Sequence, residues 1–408
     1  MTILQVNKFW FMKGGAERYA LELSAWLVSQ GHEVVPFAME HPENLPSPYA
    51  SAFPPFLRTD RVGFGPGGFR TFSNMMWNAR ARRGLRSLVR ETRPDIAHVH
   101  NIYTQLSPSV LDALADEGVP TVMTVHDHHL VSPAYDRWAE GCGPAVEKMG
   151  VIRATRSKFH KGSYAASFAQ AFVFSLHKRL RLYEVGIRAY LCPSRYIERE
   201  LRGAGFPSER LRYLPFGIDP DLVRPRADHD GYVLAVGRLV PQKGMAMVIR
   251  VARMLPEIRF KIVGSGPDEP RLHALGHGLG NVEFLGRRTG EDLDRLYQGA
   301  AALMMPSRFH ETFGLTALEA MRAGKPVAAS AVGALPELVQ DRVTGYLVSP
   351  LDVHGWAEAV LRLVYDDAMR RKMGREGRLL AETTFHIRRH RQKLMETYEH
   401  VRTKNRPA

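Results

Sequence analysis

The stretch HETFGLTALEAMRAGKPVAAS contains two carboxylates whose spacing could serve in binding a ligand or in catalysis. Glu311 falls in a predicted loop, and Glu319 lies eight positions later in a helix predicted from Gly314 to Arg322. In that helix Leu315, Leu318 and Glu319 share one stripe, and an apolar stripe is normally the buried one. Burying an unpaired carboxylate is costly, so Glu319 requires hydrogen-bond donors.

Two kinds of donor are available to Glu319. Arg322 lies three positions further on, and an exposed pair at that spacing is worth only a few tenths of a kcal/mol. The alternative is a ligand that supplies hydroxyls. Eight residues at helical rise span about 12 Å, so Glu311 and Glu319 suit an extended ligand with hydroxyls at both ends and charge between them. A nucleotide sugar, with ribose, diphosphate and hexose in line, meets this description.

The loop GRLVPQKGM supplies the charge that such a ligand requires. It follows a predicted strand at residues 232–236, and it carries Arg238 and Lys243 before a helix that opens at Gly244. Two cations beside a helix N-terminus favour an anion, most simply phosphate. A cation and a phosphate about 4 Å apart interact by roughly 4 kcal/mol at an effective dielectric constant near 20. Two solvated surface cations are the simpler alternative for this loop taken alone.

The first half of the chain has a similar loop, NKFWFMKGGAERYALEL, after its first predicted strand. Gly14 and Gly15 would let the backbone approach a ligand closely, just before a helix N-terminus. The spacing differs from GxGxxG, and no acidic residue follows at the spacing of a dinucleotide site, so a nicotinamide fingerprint is absent. A tight turn is the simpler interpretation of a glycine pair.

The segment HDHHL places His126 at the end of another predicted strand, at residues 121–125. A polar histidine at that position predicts a hydrogen-bond partner or proton handler in the cleft, and a purely structural histidine is the alternative. His126, His128 and His129 are not spaced like the HExxH pair of a zinc helix, so no metal site is expected. The segment HVHN, at residues 98–101, ends a neighbouring strand and could line the same cleft.

All these segments lie in an alternation of short strands and helices that is typical of parallel α/β sheets. Strands are predicted at residues 3–6, 33–38, 96–99, 121–125 and 190–192, and then at residues 232–236, 260–263, 282–284, 301–305, 327–329 and 346–348. This pattern predicts two Rossmann-like, doubly wound domains, whose ligands bind beyond the carboxyl ends of the strands. The hinge between them is predicted in residues 214–231, where Pro, Gly and Asp cluster.

The chain has 408 residues, of which 45% are hydrophobic and 24% charged, and this composition favours a globular protein of two domains. Its two cysteines, Cys142 and Cys192, exclude a disulfide framework. No apolar run approaches the roughly 18 residues of a membrane span, and the N-terminus lacks the pattern of a signal peptide. We therefore expect a cytoplasmic protein.

The net charge of +14 is concentrated in two segments. Residues 69–93 carry seven Arg and one Glu, and residues 148–190 carry nine Lys or Arg and one Glu. Aromatic residues accompany both segments, and a basic, aromatic helix suits peripheral contact with an anionic membrane surface. The alternative is that these cations are merely solvated. No nucleic-acid-binding motif accompanies the charge, so nucleic acid is not an expected partner.

Several motifs together resemble those of the retaining GT-B glycosyltransferases of family 4. They are ETFGLTALEAMRAGKPV, with GRLVPQKG and GSGP upstream and PELVQDRVTGYLV downstream, and KGGAER, PDIAHVHN and TVHDHHL in the first half. The resemblance covers nearly the whole chain, and it implies two Rossmann-like domains that face a central cleft. An acceptor-side domain is then expected at residues 1–216 and a donor domain at 217–380. Residues 381–408 are expected to form a C-terminal helix that can cross back to the first domain.

The resemblance also implies a role for each candidate residue. The donor diphosphate is expected to contact Arg238, Lys243, Gly14 and Gly15, and the ribose is expected to contact Glu319. The transferred sugar is expected to contact Glu311 and the backbone amides of Phe313, Gly314 and Leu315. His126 is expected near that sugar. No metal cofactor is expected, because the two cations do the work of a magnesium ion. The anomeric configuration is retained, and the leaving phosphate takes the proton of the acceptor.

The expected function is transfer of a sugar from a nucleoside-diphosphate sugar to an acceptor hydroxyl, in polysaccharide or glycolipid assembly. The acceptor is then a glycan or a lipid-linked molecule, met at the inner face of the membrane. One alternative is a soluble transferase or phosphorylase for a small sugar, and another is a catalytically silent GT-B module that binds nucleotide or glycan. Phe216 and Ala334 replace the family's usual Asn and Gly, and neither is expected to touch the catalytic set.

Overall fold

The computed structural model describes residues 1–58, 65–135, 137–143 and 145–403. Within these ranges the chain forms two six-stranded sheets, and all neighbouring strands in each sheet are parallel. Helices connect successive strands, as parallel pairing requires. The predicted fold class, α/β with two doubly wound Rossmann-like units, is confirmed.

The first sheet has the strand order β2-β1-β3-β4-β5-β6. Its strands are β1 Thr2–Val6, β2 Glu33–Phe37, β3 Ile96–Val99, β4 Thr121–Thr124, β5 Ile187–Cys192 and β6 Leu211–Tyr213. Its helices are α1 Gly15–Ser29, α2 Pro66–Met76, α3 Ala79–Thr92, α4 Tyr103–Leu106, α5 Ser109–Asp116, α6 Val151–Arg156, α7 Tyr164–Arg179 and α8 Arg195–Gly203. Alternate residues of β1 enter different cores, because Leu4 packs in one buried cluster and Ile3 in another. The sheet therefore has an apolar layer on each face.

The second sheet has the strand order β12-β11-β10-β7-β8-β9. Its strands are β7 Tyr232–Val236, β8 Arg259–Val263, β9 Val282–Phe284, β10 Ala300–Met305, β11 Val327–Ser330 and β12 Gly345–Val348. Its helices are α9 Met245–Met254, α10 Glu269–Gly276, α11 Gly290–Gly299, α12 Leu315–Arg322, α13 Leu335–Leu338, α14 Val353–Tyr365 and α15 Asp367–Glu382. Val233 and Leu234, adjacent in β7, again enter separate cores.

The last helix, α16 Ile387–Thr403, packs on the first sheet. Leu394 and Tyr398 of α16 are fully buried in the core that contains Ile3. The Tyr398 hydroxyl lies 2.6 Å from Nδ1 of His98 on β3. The continuous helix predicted over residues 382–402 is interrupted, because α15 ends at Glu382 and α16 begins at Ile387. The predicted segment 381–408 extends beyond the described residues after 403.

The predicted strands correspond to eleven of the twelve that the described residues form. The strand that was missed is β6, which has only three residues, LRY, and carries an arginine at its centre. The predicted hinge at residues 214–231 spans the connection from β6 to β7. The divisions at 216 and 380 stay predictions.

Candidate active site

The carboxyl ends of the two sheets lie opposite each other, and their loops meet at Gly15 and Leu315. Gly14 precedes α1 in an extended conformation, and Gly15 is the first residue of α1. A Cβ atom on Gly15 would lie 3.9 Å from Cδ1 of Leu315 on the second sheet. The glycine loop and the start of α12, both singled out by sequence, are therefore brought together across the cleft.

Glu311 and Lys243 form a direct ion pair. Nζ of Lys243 lies 2.8 Å from Oε1 of Glu311, and the Ser307 hydroxyl donates to the same oxygen at 2.6 Å. Glu311 is 7% exposed, so this pair is largely shielded from water. Sequence predicted Lys243 as a phosphate ligand and Glu311 as a sugar ligand, and it did not predict their contact. A phosphate that binds Lys243 must therefore compete with a carboxylate.

Close backbone packing fixes the segment around Glu311. Gly333 has φ 61°, and a Cβ atom there would lie 2.6 Å from the backbone N and O of Glu311. The Ala334 amide donates to the Glu311 carbonyl at 2.9 Å. Ala334 was expected not to touch the catalytic set, and that expectation is wrong, because its amide positions Glu311.

The loop that carries the two predicted cations is held against the second sheet. Gly244, with φ 69°, ends this loop, and a Cβ atom there would collide with the Pro306 carbonyl. Lys243 is turned inward towards Glu311, whereas Arg238 is exposed to solvent on the same loop. Arg238 is therefore accessible to an anion that enters from solvent.

Glu319 is buried, and both of its carboxylate oxygens are paired by the protein itself. Oε1 accepts from Nη1 of Arg18 at 2.8 Å, and Oε2 accepts from the Tyr297 hydroxyl at 2.8 Å. Arg322 instead forms an ion pair with Asp294, so the predicted alternative of a Glu319–Arg322 pair is wrong. The donors that Glu319 requires come from another helix of its own sheet and from the opposite sheet.

Arg18, Tyr297 and Ser307 belong to this site, and sequence analysis did not single them out. Arg18 had a usable signal, because it lies in the first turn of a helix whose N-terminus was expected at the cleft. Tyr297 had none, since it lies on α11, 22 positions before Glu319. Burial, and then the adjacent Glu319 carboxylate, raise the pKa of Tyr297 well above its ordinary value, so it stays a hydrogen-bond donor.

The backbone at the start of α12 turns sharply. Gly314 has φ 116°, a conformation that L side chains rarely adopt, and Leu315 is the first helical residue. A Cβ atom on Gly314 would also lie 2.7 Å from Cδ2 of Leu335. The buried ring of Phe313 lies 5.3 Å, between centroids, from that of Phe216. The amides of the first turn of α12 are thereby left near the cleft, where a helix N-terminus favours an anion.

His126 follows β4 and contacts both sheets. Its Nε2 lies 3.0 Å from Nδ1 of His100, and its backbone carbonyl accepts from the Thr312 hydroxyl at 3.1 Å. Burial, and then the positive charge of Lys8, lower the pKa of His126 to about 3. The imidazole is therefore neutral near pH 7, and the backbone of His126 is one hydrogen bond from Thr312, the residue that follows Glu311.

Phe216 lies between the two halves of the candidate site. Its ring stacks on His126, with centroids 5.7 Å apart and an interplanar angle of 14°. It also meets Phe313 edge-on and lies 5.0 Å from the ring of Tyr19. The expectation that Phe216 does not touch the catalytic set is therefore wrong.

The other histidines of HDHHL have separate surroundings. The ring of His128 lies 5.8 Å from that of Tyr196, whereas the ring of His129 lies 4.2 Å from that of Tyr103. In the described part of the chain no three His, Cys, Asp or Glu side chains converge as a metal site would require. Asp127 accepts from the His129 amide at 2.9 Å, and burial raises its pKa to about 6.

A short segment from the first sheet pairs with the backbone just before Glu311. Trp138 forms an antiparallel bridge with Phe309. The Ala139 amide donates to the Arg308 carbonyl at 3.0 Å, and the His310 amide donates to the Arg137 carbonyl at 2.7 Å. Residues 137–139 therefore act as a strand partner for residues 308–310 across the cleft.

Two family models match adjacent parts of the chain. The model for Glycosyltransferase Family 4 matches residues 13–222, and the model for Glycosyl transferases group 1 matches residues 223–380. A curated relative, D-inositol 3-phosphate glycosyltransferase from Mycobacteroides abscessus, is 39% identical over 168 residues. That match covers 36% of this chain and 38% of the relative, so it spans well under half of either protein.

Solved structures resemble the whole chain. Sucrose-phosphate synthase from Thermosynechococcus elongatus superposes with a TM-score of 0.71 at 21% identity, and the match covers 98% of each chain. HepE from Anabaena, solved in complex with UDP and glucose, gives a TM-score of 0.68 at 18% identity over 98% of this chain and 99% of that one. These likenesses show the GT-B arrangement of the two sheets. Because a single family model matches more than half of the residues, the chain belongs to glycosyltransferase family 4.

Proposed function

We propose that the protein is a retaining glycosyltransferase that moves a sugar from a nucleoside-diphosphate sugar to an acceptor hydroxyl. The observation that carries this proposal is the pair of buried carboxylates, Glu311 and Glu319, on either side of the N-terminus of α12, with Lys243 at the first. One cleft thus offers two acceptors for hydroxyls and a positive region between them. Support also comes from HepE, a structural relative that was solved with UDP and glucose.

In the proposed complex each end of the donor replaces a contact within the protein. The ribose hydroxyls donate to Glu319, which Arg18 now occupies. The diphosphate binds Lys243 and Arg238, with the Gly14–Gly15 loop closing from the opposite sheet. The sugar hydroxyls donate hydrogen bonds to Glu311. They take the place of Lys243, which turns away from this carboxylate towards the phosphate.

The proposed reaction exchanges one bond at the anomeric carbon for another on the same face. The bond from that carbon to the leaving phosphate oxygen breaks, the bond to the acceptor oxygen forms, and the acceptor proton passes to the leaving phosphate. Lys243 and Arg238 stabilise the negative charge that develops on the phosphate. His126, which is neutral, serves as a hydrogen-bonding group near the transferred sugar. No metal ion is part of this proposal.

The proposed acceptor is a glycan or lipid-linked molecule of polysaccharide or glycolipid assembly. A curated relative is named D-inositol 3-phosphate glycosyltransferase, after an anionic molecule. Lys8 lies in the loop after β1 and acts electrostatically on both His126 and Asp127. We place the reaction in the cytoplasm, at the inner face of the membrane. None of the helices in the described ranges is long and apolar enough to cross a bilayer.

The proposal is tested by Glu311→Gln. We expect transfer from a nucleotide sugar to fall by at least about 100-fold, the scale of losing one transition-state contact. The Kd for UDP or another nucleoside diphosphate should not rise, because the variant removes the carboxylate that competes for Lys243. A thermal-shift panel of nucleoside diphosphates first selects the base, because ligands that bind the native state raise its Tm. Glu283→Gln, an exposed carboxylate on β9, is the matched control.

The outcomes separate the alternatives. An unchanged transfer rate in Glu311→Gln contradicts the assignment of Glu311. Nucleotide binding without any transfer by the wild-type protein indicates a catalytically silent module. Cleavage of a disaccharide that requires free phosphate indicates a phosphorylase.

A further inference from the structure

Helix α7 carries an aromatic stripe on its solvent side. Tyr164, Phe168 and Phe172 are 56%, 46% and 37% exposed, and their spacing of four residues puts them on one side of the helix. The rings of Phe168 and Phe172 stack with centroids 5.7 Å apart. The other side of α7 is already occupied, because Ala169 and Val173 are buried against α2. The exposed rings of this stripe are therefore not part of the hydrophobic core.

Helix α2 extends this surface. Phe69, near its N-terminus, is 72% exposed, and the ring of Phe72 lies 6.0 Å from that of Phe172. We call this surface the aromatic face, and its members are Phe69, Phe72, Tyr164, Phe168 and Phe172. An exposed apolar patch of this kind marks a surface that binds something.

Basic residues adjoin the aromatic face. Residues 148–183 contain eight Lys or Arg and no Asp or Glu. Nζ of Lys158 lies 4.3 Å from the ring centroid of Tyr164, and Arg70 of α2 lines an adjoining recess of about 430 Å³ together with Arg80. This charge favours an anionic partner over a neutral one.

Three arginines of the neighbouring helix α3 form ion pairs within the protein. Arg82 pairs with Asp112 and Asp116, and both Arg86 and Arg90 pair with Glu117. Three of the seven arginines of residues 69–93 thus tie α3 to the end of α5. These three arginines therefore hold the fold together, and they are not counted in the surface that meets a membrane.

We infer that the aromatic face docks on an anionic lipid bilayer. Rings that insert at the headgroup boundary beside Lys and Arg are the combination that interfacial binding uses. The face is also joined to the acceptor side of the cleft, because Nε2 of Gln170 on α7 donates to the Pro133 carbonyl at 3.1 Å, in the segment that follows His126. Docking would bring a lipid-linked acceptor to that side. The inference rests on the proposed function only for this last point.

The test is sedimentation with phosphatidylcholine vesicles and with vesicles that contain phosphatidylglycerol. We expect the full chain to bind the anionic vesicles, and Phe168→Ser/Phe172→Ser to lose at least about tenfold in partition coefficient. Lys158→Glu should weaken binding and reduce its dependence on salt. Leu222→Ser, a change at a residue that is 71% exposed and lies on the hinge, is the matched control and should bind as the wild type does.

Two further measurements keep the result interpretable. Circular dichroism and nucleoside-diphosphate binding should be unchanged in the double variant, which shows that it folds. Glu311→Gln should bind vesicles normally, so loss of transfer and loss of docking are separable. Equal binding or no binding to both vesicle types overturns the inference. The inference is also overturned if the wild-type protein self-associates, and the double variant abolishes self-association but still binds vesicles. The aromatic face would then be an interface between copies of this chain.

Discussion

Nη1 of Arg18 lies 2.8 Å from Oε1 of Glu319, and this ion pair joins residues 301 positions apart on opposite walls of the cleft. Arg18 projects from the first turn of α1, and Glu319 lies within α12. The second oxygen of Glu319 is taken by Tyr297. In the proposed complex a ribose that binds Glu319 must displace or share the guanidinium, and nucleotide binding would then be coupled to the contact between the two sheets.

Arg18→Ala should strengthen the binding of nucleoside diphosphate. The competitor for Glu319 is removed, while Tyr297 still holds the carboxylate. The side chain of Arg18 is 46% exposed, so the pair is worth little, and we expect a three- to tenfold lower Kd, or about 0.7–1.4 kcal/mol. Isothermal calorimetry with UDP measures this change. Arg18→Lys keeps a cation and should stay near the wild type. Weaker binding in Arg18→Ala would instead identify Arg18 as a direct ligand of the nucleotide.

Lys243→Ala should weaken the binding of a nucleoside diphosphate much more than that of the bare nucleoside. In the proposed complex the ammonium group of Lys243 contacts the diphosphate, and its loss also leaves the buried Glu311 carboxylate without its cation. We expect at least about a tenfold rise in Kd for the diphosphate, equivalent to about 1.4 kcal/mol, and less than about twofold for the nucleoside. Lys261→Ala, on β8 and paired with Glu283, is the control. Equal losses for the two ligands would contradict a phosphate contact.

Phe216→Ala should reduce both stability and turnover. Deleting a buried aromatic ring typically costs about 3–5 kcal/mol, and this ring packs on His126 and Phe313. Urea unfolding at pH 7.5 measures the first effect, and the transfer rate measures the second. Phe216→Leu, which keeps most of the volume but not the stacking, should recover stability more than activity. Full activity in the alanine variant would show that the stacking does not position His126.

Acidification below about pH 6.5 should destabilise the fold through its buried histidines, and protonation of Asp127, whose raised pKa is about 6, offsets only part of this loss. Burial is the main cause that lowers the pKa of His126, His128 and His129 to about 3, and that of His160 and His390 to about 4. An unfolded histidine has a pKa of about 6.5. The unfolded state therefore binds more protons below that pH, and stability is lost as pH falls from about 6.5 towards 4.

Each of these histidines should cost about 1.4 kcal/mol at pH 5.5 relative to neutral pH. Urea unfolding at pH 7.5, 6.5 and 5.5 should therefore show a decrease of several kcal/mol in the free energy of unfolding. His126→Gln should show a shallower decrease. A free energy of unfolding that is constant over this range would contradict neutral, buried histidines in the folded state.

Local sequence predicted the elements on which the site depends. The glycine loop, the HDHHL segment, the GRLVPQKG loop and α12 each follow a strand, and the carboxyl ends of parallel strands share one edge of a sheet. Strand β6 was not predicted, because its three residues at the edge of the sheet are too few to show an alternation of apolar and polar residues. The roles assigned to the site residues stay predictions.

The side-chain contacts that cross the cleft could not be predicted from the sequence. Glu319 was correctly expected to need donors, but local spacing offered only Arg322, which pairs with Asp294 instead. Arg18 reaches Glu319 because the two sheets face each other at a particular distance, and that distance is a property of the whole fold. Phe216 was wrongly expected not to touch the candidate residues for the same reason, since the hinge passes between His126 and Phe313.

The pairing of residues 137–139 with residues 308–310 links two parts of the protein that would otherwise vary independently. Strand partners keep their register only when neither gains or loses a residue, and a slip of one residue turns every side chain to the other face. A change of length in the first segment would thus misplace the backbone that leads into Glu311. Replacing side chains in residues 137–139 leaves this backbone pairing in place, whereas an insertion or a deletion there does not. A chimera that joins the first half of one relative to the second half of another must inherit these two segments as a matched set.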